Sequence, residues 1–171
     1  MKKIVNEPRL RCFIAAKVKH PDKILRQNGL VSFAIPDLGI LFRASFFGSY
    51  YELEYMSLLS VLRFIELNRP AFENHKIDIY TTSSILVYQV DQKAFCQKEL
   101  EKHKNLAVAY KSILNFSLRW VPQSENKAES GMLDLPPLKK SPPNTDTSLG
   151  KKSAQSESFN FDFEDLHKKL K

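Results

Sequence analysis

Cysteine is nearly absent from this sequence: Cys12 and Cys96 are the only two in 171 residues. They lie far apart and lack CxxC spacing, which argues against a zinc site built on cysteines and fits a reducing, cytoplasmic setting. The four histidines, His20, His75, His103 and His167, are scattered without His-x-x-x-His or His–Cys spacing. Each reads as a surface side chain before a metal ligand. No Gly-x-Ser-x-Gly elbow occurs, so a serine-centred triad has no footing. Nor does any apolar run approach the roughly 20 residues that cross a bilayer, and no membrane partner is expected. The basic opening leads into a short apolar piece, but Arg9, Arg11 and Lys17 interrupt it too closely for a secretory signal. That piece reads as a strand.

What is present supports one core with an appendage. Hydrophobic residues make up 43% of the chain, with 12 Phe, 6 Tyr and one Trp. Five of the nine prolines lie beyond Trp120, where the texture changes. The net charge of +7 is uneven: residues 1–43 hold nine Lys or Arg against three Asp or Glu. Such an excess suits polyanionic partners through phosphate contacts and counterion release. It also occurs on the solvated faces of many basic proteins. Arg11, Lys17, Lys19, Arg43 and Lys127 are the candidate nucleic-acid-binding cations, for RNA, DNA or an RNA–DNA hybrid.

Read in order, Leu10–Val18 is a mostly buried strand, and Asn28-Gly29 is a strong turn signal. Leu30–Ile35 and Ile40–Phe47 are two further strands, joined by the turn Pro36-Asp37-Leu38-Gly39, so the three form an antiparallel meander. The period then becomes helical over Glu54–Asn68, with Leu58, Leu59, Leu62 and Ile65 as its apolar stripe. Ser49 ahead of Glu52 suits a capping box, and Arg69-Pro70 ends the helix.

Ile77–Val90, IDIYTTSSILVYQV, is the stretch around which the chain is organised. An apolar, β-branched run predicts a fourth strand, and a short helix follows from Ser84. Between them stand Thr81, Thr82, Ser83 and Ser84, a polar cluster at a strand's C-terminal end, where open α/β sheets place their sites. Thr82 and Ser83 equally suit backbone satisfaction at a strand end. Asp91–Asn115 reads as a polar helix with Leu100, Leu106, Tyr110, Ile113 and Leu114 turned inward. Phe116–Val121 is a fifth strand, and Pro122–Leu133 a loop with a short closing helix.

The fold class is therefore α/β, a five-stranded mixed sheet with three antiparallel strands, then helix, strand, helices, strand and helix. That order resembles the ribonuclease H fold, in particular the plant- and archaeal-type domains. Three local sequences carry the resemblance. Leu53-Glu54-Tyr55-Met56 looks like the family's AEL-type helix start. TTSSILVYQV (81–90) looks like its TDSxLVxxQV segment, with Thr82 in the aspartate's place. WVPQSENKAESGML (120–133) looks like its VPRxxNxxADxLA ending, with Asn126 at the motif's Asn.

The resemblance implies a nuclease for RNA–DNA hybrids in which four carboxylates hold two divalent metals, usually Mg²⁺. Carried over, only Glu54 survives. The first-strand aspartate falls near Ala15 or Ala16, the fourth-strand one on Thr82, and the closing-helix one on Ser130, with Glu129 one position early. Glu54 alone would merely favour a helix N-terminus. The expectation is a catalytically inactive ribonuclease H-like domain that binds nucleic acid or protein. The alternative is a divergent metal-dependent nuclease using Glu54, Glu129 and Asp78 or Asp134, and Mg²⁺ enters only there.

Trp120 and the group Phe46, Phe47, Tyr50 and Tyr51 are of the kind that fill a core or stack on bases. The domain is expected over 8–135, a disordered linker over 136–157 and a short tail motif over 158–171. In that tail Phe159, Phe161, Phe163 and Leu166 return among Asp and Asn, as in segments that order on a protein partner, with self-docking as the other use.

Overall fold

The structure, a computed structural model, describes residues 8–20, 22–92 and 94–129. Three strands, β1 (Arg9–Val18), β2 (Gln27–Ile35) and β3 (Ile40–Gly48), are followed by helix α1 (Tyr50–Leu67) and the single turn α2 (Arg69–Phe72). Then come β4 (Lys76–Thr81), α3 (Ser84–Asp91), α4 (Glu101–Leu114) and β5 (Ser117–Trp120). The sheet order is β3-β2-β1-β4-β5, so the first strand made is the central one. It runs antiparallel to β2 and parallel to β4, and β4 runs parallel to β5. The fold is thus the expected five-stranded mixed sheet.

Alternation along β1 sets the layers. Leu10, Cys12 and Ile14 are almost wholly buried, while Arg9, Arg11 and Lys17 are exposed. Successive strand residues point to opposite faces, so one face is apolar and the other charged. Helix α1 packs on β1 and β2 and α4 packs on α1. The expected stripe of Leu58, Leu59, Leu62 and Ile65 is buried, together with Leu53 and Tyr55. Both arms of the capping box form: Glu52 N–H donates to Ser49 Oγ, and Ser49 N–H donates to the Glu52 carboxylate at 2.6 Å.

Two expectations need correction. Asn28-Gly29 is no turn but the second and third residues of β2. The turn lies upstream, where Asp22 Oδ1 accepts from Ile24 N–H and Gln27 bridges to the His20 backbone. Glycine is needed at 29 for close approach, since a Cβ there would stand 2.3 Å from Leu53 Cδ1 and 2.8 Å from the Lys17 carbonyl oxygen. Second, the helix expected over 91–115 begins only at Glu101, after a loop and the 3-10 turn Lys98–Leu100. Burial of Cys96 and Leu100 draws the intervening loop inward, and its carbonyls are met by side chains, Gln89 at Phe95 and Lys104 at Ala94. Beyond β5 the described residues form a 3-10 turn, Gln123–Glu125, and the closing helix expected within 122–133 lies in part outside the described residues. The linker and tail assignments, with Phe159, Phe161, Phe163 and Leu166, lie outside the described residues.

Gly29→Ala should destabilise the fold by about 1–3 kcal/mol through overpacking against α1. Urea unfolding of Gly29→Ala, Leu53→Ala and the double variant checks it. The double should lose less than the sum of the singles, because removing the Leu53 side chain makes room for the new methyl.

Candidate functional site

Glu54 lies in the first turns of α1 but is not a solvated dipole charge. It is 6% exposed, and the Ser83 hydroxyl donates to its Oε2 at 2.8 Å. The same Ser83 Oγ caps α3 by accepting from Leu86 N–H. Tyr50, one helical turn before Glu54 and so on the same face, is its second hydrogen-bond partner. Burial raises the Glu54 pKa, and the bonds from Ser83 and Tyr50 and the charge of Lys23 counter only part of that. The Lys23 ammonium stands 5.1 Å from the Tyr50 ring centre.

Glu129 belongs to the same neighbourhood. Burial also raises its pKa, opposed by a Gln123 hydrogen bond and the Lys17 charge. Burial raises the Tyr50 pKa as well, and the charges of Glu54 and then Glu129 push it further. Both glutamates thus raise the pKa of one phenol, and Glu54 is also hydrogen-bonded to it. Among the described residues no three His, Cys, Asp or Glu side chains group as a metal site would require.

The segment 126–129 closes over β1. The pairing of β1 with β4 ends at Phe13–Tyr80, and the next β1 carbonyl, that of Ile14, accepts from Asn126 Nδ2 at 2.9 Å. Asn126 Oδ1 accepts from Ala128 N–H, and Ser32 Oγ donates to the Ala128 carbonyl. Ala15, Ala34 and Ala128 meet as a small buried cluster. Ala15 is thus packed by methyl groups, while Ala16 is partly exposed. Thr82 is half-buried, its carbonyl accepting from Trp120 Nε1 at 3.1 Å. Ser130 and Asp134 lie outside the described residues.

Asp78 is not part of the Glu54 group. It faces Arg11 across β1 and is held by Arg9 at 2.8 Å, by Ser117 and by Arg119. Burial would raise its pKa, but the Ser117 and Arg9 hydrogen bonds and the charges of Arg119 and Arg9 lower it overall. Four residues before Thr82, at about 3.3 Å per residue, it stands roughly 13 Å down the strand. The candidate cations are brought together in part. Arg11, Lys17 and Arg43 share the sheet face opposite α1, by the pairings Arg43–Ser32 and Ser32–Ala15. Lys127 lies on the closing segment beside that face, and Lys19 is exposed past the end of β1.

Solved structures share this fold. LC11 ribonuclease H1, isolated from compost by a metagenomic approach, is 12% identical over 71% of this chain and 91% of that one, with a TM-score of 0.60. The same enzyme in complex with an RNA/DNA hybrid gives 13%, 70%, 89% and 0.56. Ribonuclease H1 from the halophilic archaeon Halobacterium salinarum gives 16%, 70%, 90% and 0.54. The fold is ribonuclease H-like. At these identities the likeness is one of fold. No protein-family model matches the sequence, and no curated protein matches it.

Within this ribonuclease H-like frame, two residues of the motifs turn out to be structural. Asn126 anchors the closing segment, and Gln89 accepts from the buried Tyr55 hydroxyl at 2.8 Å, tying α3 to α1. Sequence reading missed Tyr50 and Ser83 as partners of Glu54. Tyr50 was signalled by its i,i+4 spacing to Glu54; Ser83 was hidden, because only the strand crossing brings it to α1.

Because Glu54 holds its proton to a higher pH in the folded chain than when unfolded, its contribution to stability is intact below the unfolded pKa of about 4.3 and is lost as pH rises through the folded value. Glu54→Gln should therefore raise Tm at pH 8 by roughly 2–5 °C, and the difference should vanish near pH 4. Calorimetry at the two pH values reads this directly; a lower Tm at pH 8 would show the carboxylate to be compensated.

Proposed function

We propose that this chain is a ribonuclease H-like domain that does not cleave and that binds nucleic acid, whether RNA, DNA or a hybrid of the two. The observation that carries the reading is the state of Glu54: a carboxylate buried and committed to the Ser83 and Tyr50 hydroxyls, in no group of three or more possible metal ligands among the described residues. Two Mg²⁺ ions held close together repel each other unless several anionic oxygens neutralise them. At the positions that the resemblance assigns to aspartates, Ala15 offers a methyl group inside an alanine cluster and Thr82 a hydroxyl. This donor set does not suit a two-metal centre. Losing such ligands removes most of the charge stabilisation that the ions supply in the transition state.

Binding is supported by charge and by likeness. Arg11, Lys17 and Arg43 share one sheet face, and LC11 ribonuclease H1 has been solved with an RNA/DNA hybrid. A specific observation favours one other reading. Glu54 and Glu129 both act on Tyr50, so a rearranged, divergent hydrolase would be built on that pair and would take Mg²⁺ there. Interaction with protein alone is the third use of such a domain.

Incubating the purified full chain with labelled RNA–DNA hybrid and Mg²⁺ or Mn²⁺ decides among them. The hybrid should stay intact, and it should be bound with an affinity that falls about 100-fold between 50 and 200 mM salt, as expected for about four phosphate contacts. Robust turnover abolished by Glu54→Gln would overturn the non-catalytic reading in favour of the divergent hydrolase. Absence of binding to hybrid, duplex and single strands at low salt would overturn the nucleic-acid reading.

A further inference from the structure

The sheet face turned away from α1 has a second feature besides its charge. Phe13 on β1 and Tyr80 on β4 are direct partners in the parallel ladder, and their rings stack with centres 5.0 Å apart and planes inclined by 23°. Tyr80 pairs in turn with Arg119 on β5. One row lower come Arg11 and Asp78, and below them Arg9 and Lys76. The side chains of Arg9, Arg11 and Arg119 remain 54%, 57% and 51% exposed, although each also holds a carboxylate. Beside the rings is a pocket of about 340 Å³, bounded by Phe13, Tyr80, Arg11 and Val121 and rimmed by Ser124, Glu125 and Lys127.

We infer that this face binds single-stranded nucleic acid, with one base entering the pocket to stack against the Phe13–Tyr80 pair and the neighbouring arginines taking the flanking phosphates. The inference rests on the nucleic-acid-binding reading above and specifies its ligand and its surface. The chemistry selects a single strand. Bases stacked inside a duplex cannot present their faces to a ring on a sheet, whereas unpaired bases stack on aromatic side chains whatever their sequence. Pinning by carboxylates also orients the guanidinium groups without exhausting them. Asp37 takes Arg11 Nε and Nη2 at 3.2 and 2.7 Å, and Asp78 takes one nitrogen of Arg9. A guanidinium has five N–H donors, so each keeps some for a phosphate. The pocket is large enough for one base, and it lies on the opposite sheet face from the α1 helix that carries Glu54.

Fluorescence anisotropy with the full chain tests this, using a labelled 12-nucleotide single strand as RNA and as DNA, the matching RNA–DNA hybrid, and an acidic aromatic peptide as probes. The variants are Phe13→Leu and Tyr80→Leu, which keep apolar bulk, and Tyr80→Phe, which keeps the ring. Circular dichroism verifies folding. Each leucine variant should weaken single-strand binding by roughly tenfold while leaving hybrid binding within twofold, and Tyr80→Phe should bind like the parent. Single-strand binding unchanged in both leucine variants, or hybrid binding with no single-strand binding, would overturn the inference and leave the proposed function standing. Binding of no nucleic acid at all would overturn both. Tighter binding of the peptide than of the single strands, lost in the same leucine variants, would assign the face to protein instead.

Discussion

Everything in this domain depends on how the central strand divides its side chains. β1 is buried between β2 and β4, so each of its faces must meet a different environment, and its sequence alternates accordingly. Leu10, Cys12 and Ile14 supply the apolar surface that α1 covers. At about 25 cal/mol per Å² of apolar area removed from water, this surface and the leucines of α1 supply the main drive for the two layers to meet. The other face is free to carry charge because the first has settled the fold. The burial of Cys12 shows how complete that settlement is: its thiol is pushed up to about 12, mainly by loss of solvent, and is inert as a nucleophile.

That division clarifies what a ribonuclease H-like chain has to retain. Asn126 satisfies a strand carbonyl, Gln89 satisfies a buried phenol, and Ser83 caps a helix. Each answers a backbone or core demand that would go unmet without it, at about 1–3 kcal/mol for a buried group left unpartnered. Ala15 likewise answers a packing demand, against Ala34 and Ala128. Glu54 is the exception. It stays buried at an electrostatic penalty that two hydroxyls only partly relieve.

Much of this was legible from the sequence, and the misses have physical causes. The five strands and α1 followed from hydrophobic period and from the capping box, both local signals. Asn28-Gly29 misled because its glycine answers a packing contact with Leu53 and not a turn, and sequence does not distinguish the two needs. The break between α3 and α4 escaped because side chains from both helices cap the loop between them, and those contacts are tertiary. The position of Glu54 was readable; its burial and its bond to Ser83, 29 residues away, were not. The Phe13–Tyr80 pair needed the parallel register of two strands nearly 70 residues apart.

The anchor between Asn126 and Ile14 bears on how the chain is made. It joins residues separated by 112 positions. At a synthesis rate of roughly 5–20 residues per second, the central strand waits about 6–22 s on the ribosome for that partner. Its apolar residues are covered sooner, once α1 has been made, but until then they are a template for unwanted pairing. Arg9 and Arg11, on either side of Leu10, are charges of the kind that natural sequences place beside unavoidable hydrophobic strands. Charges on the face away from α1 thus disfavour pairing of an unfinished chain with its neighbours.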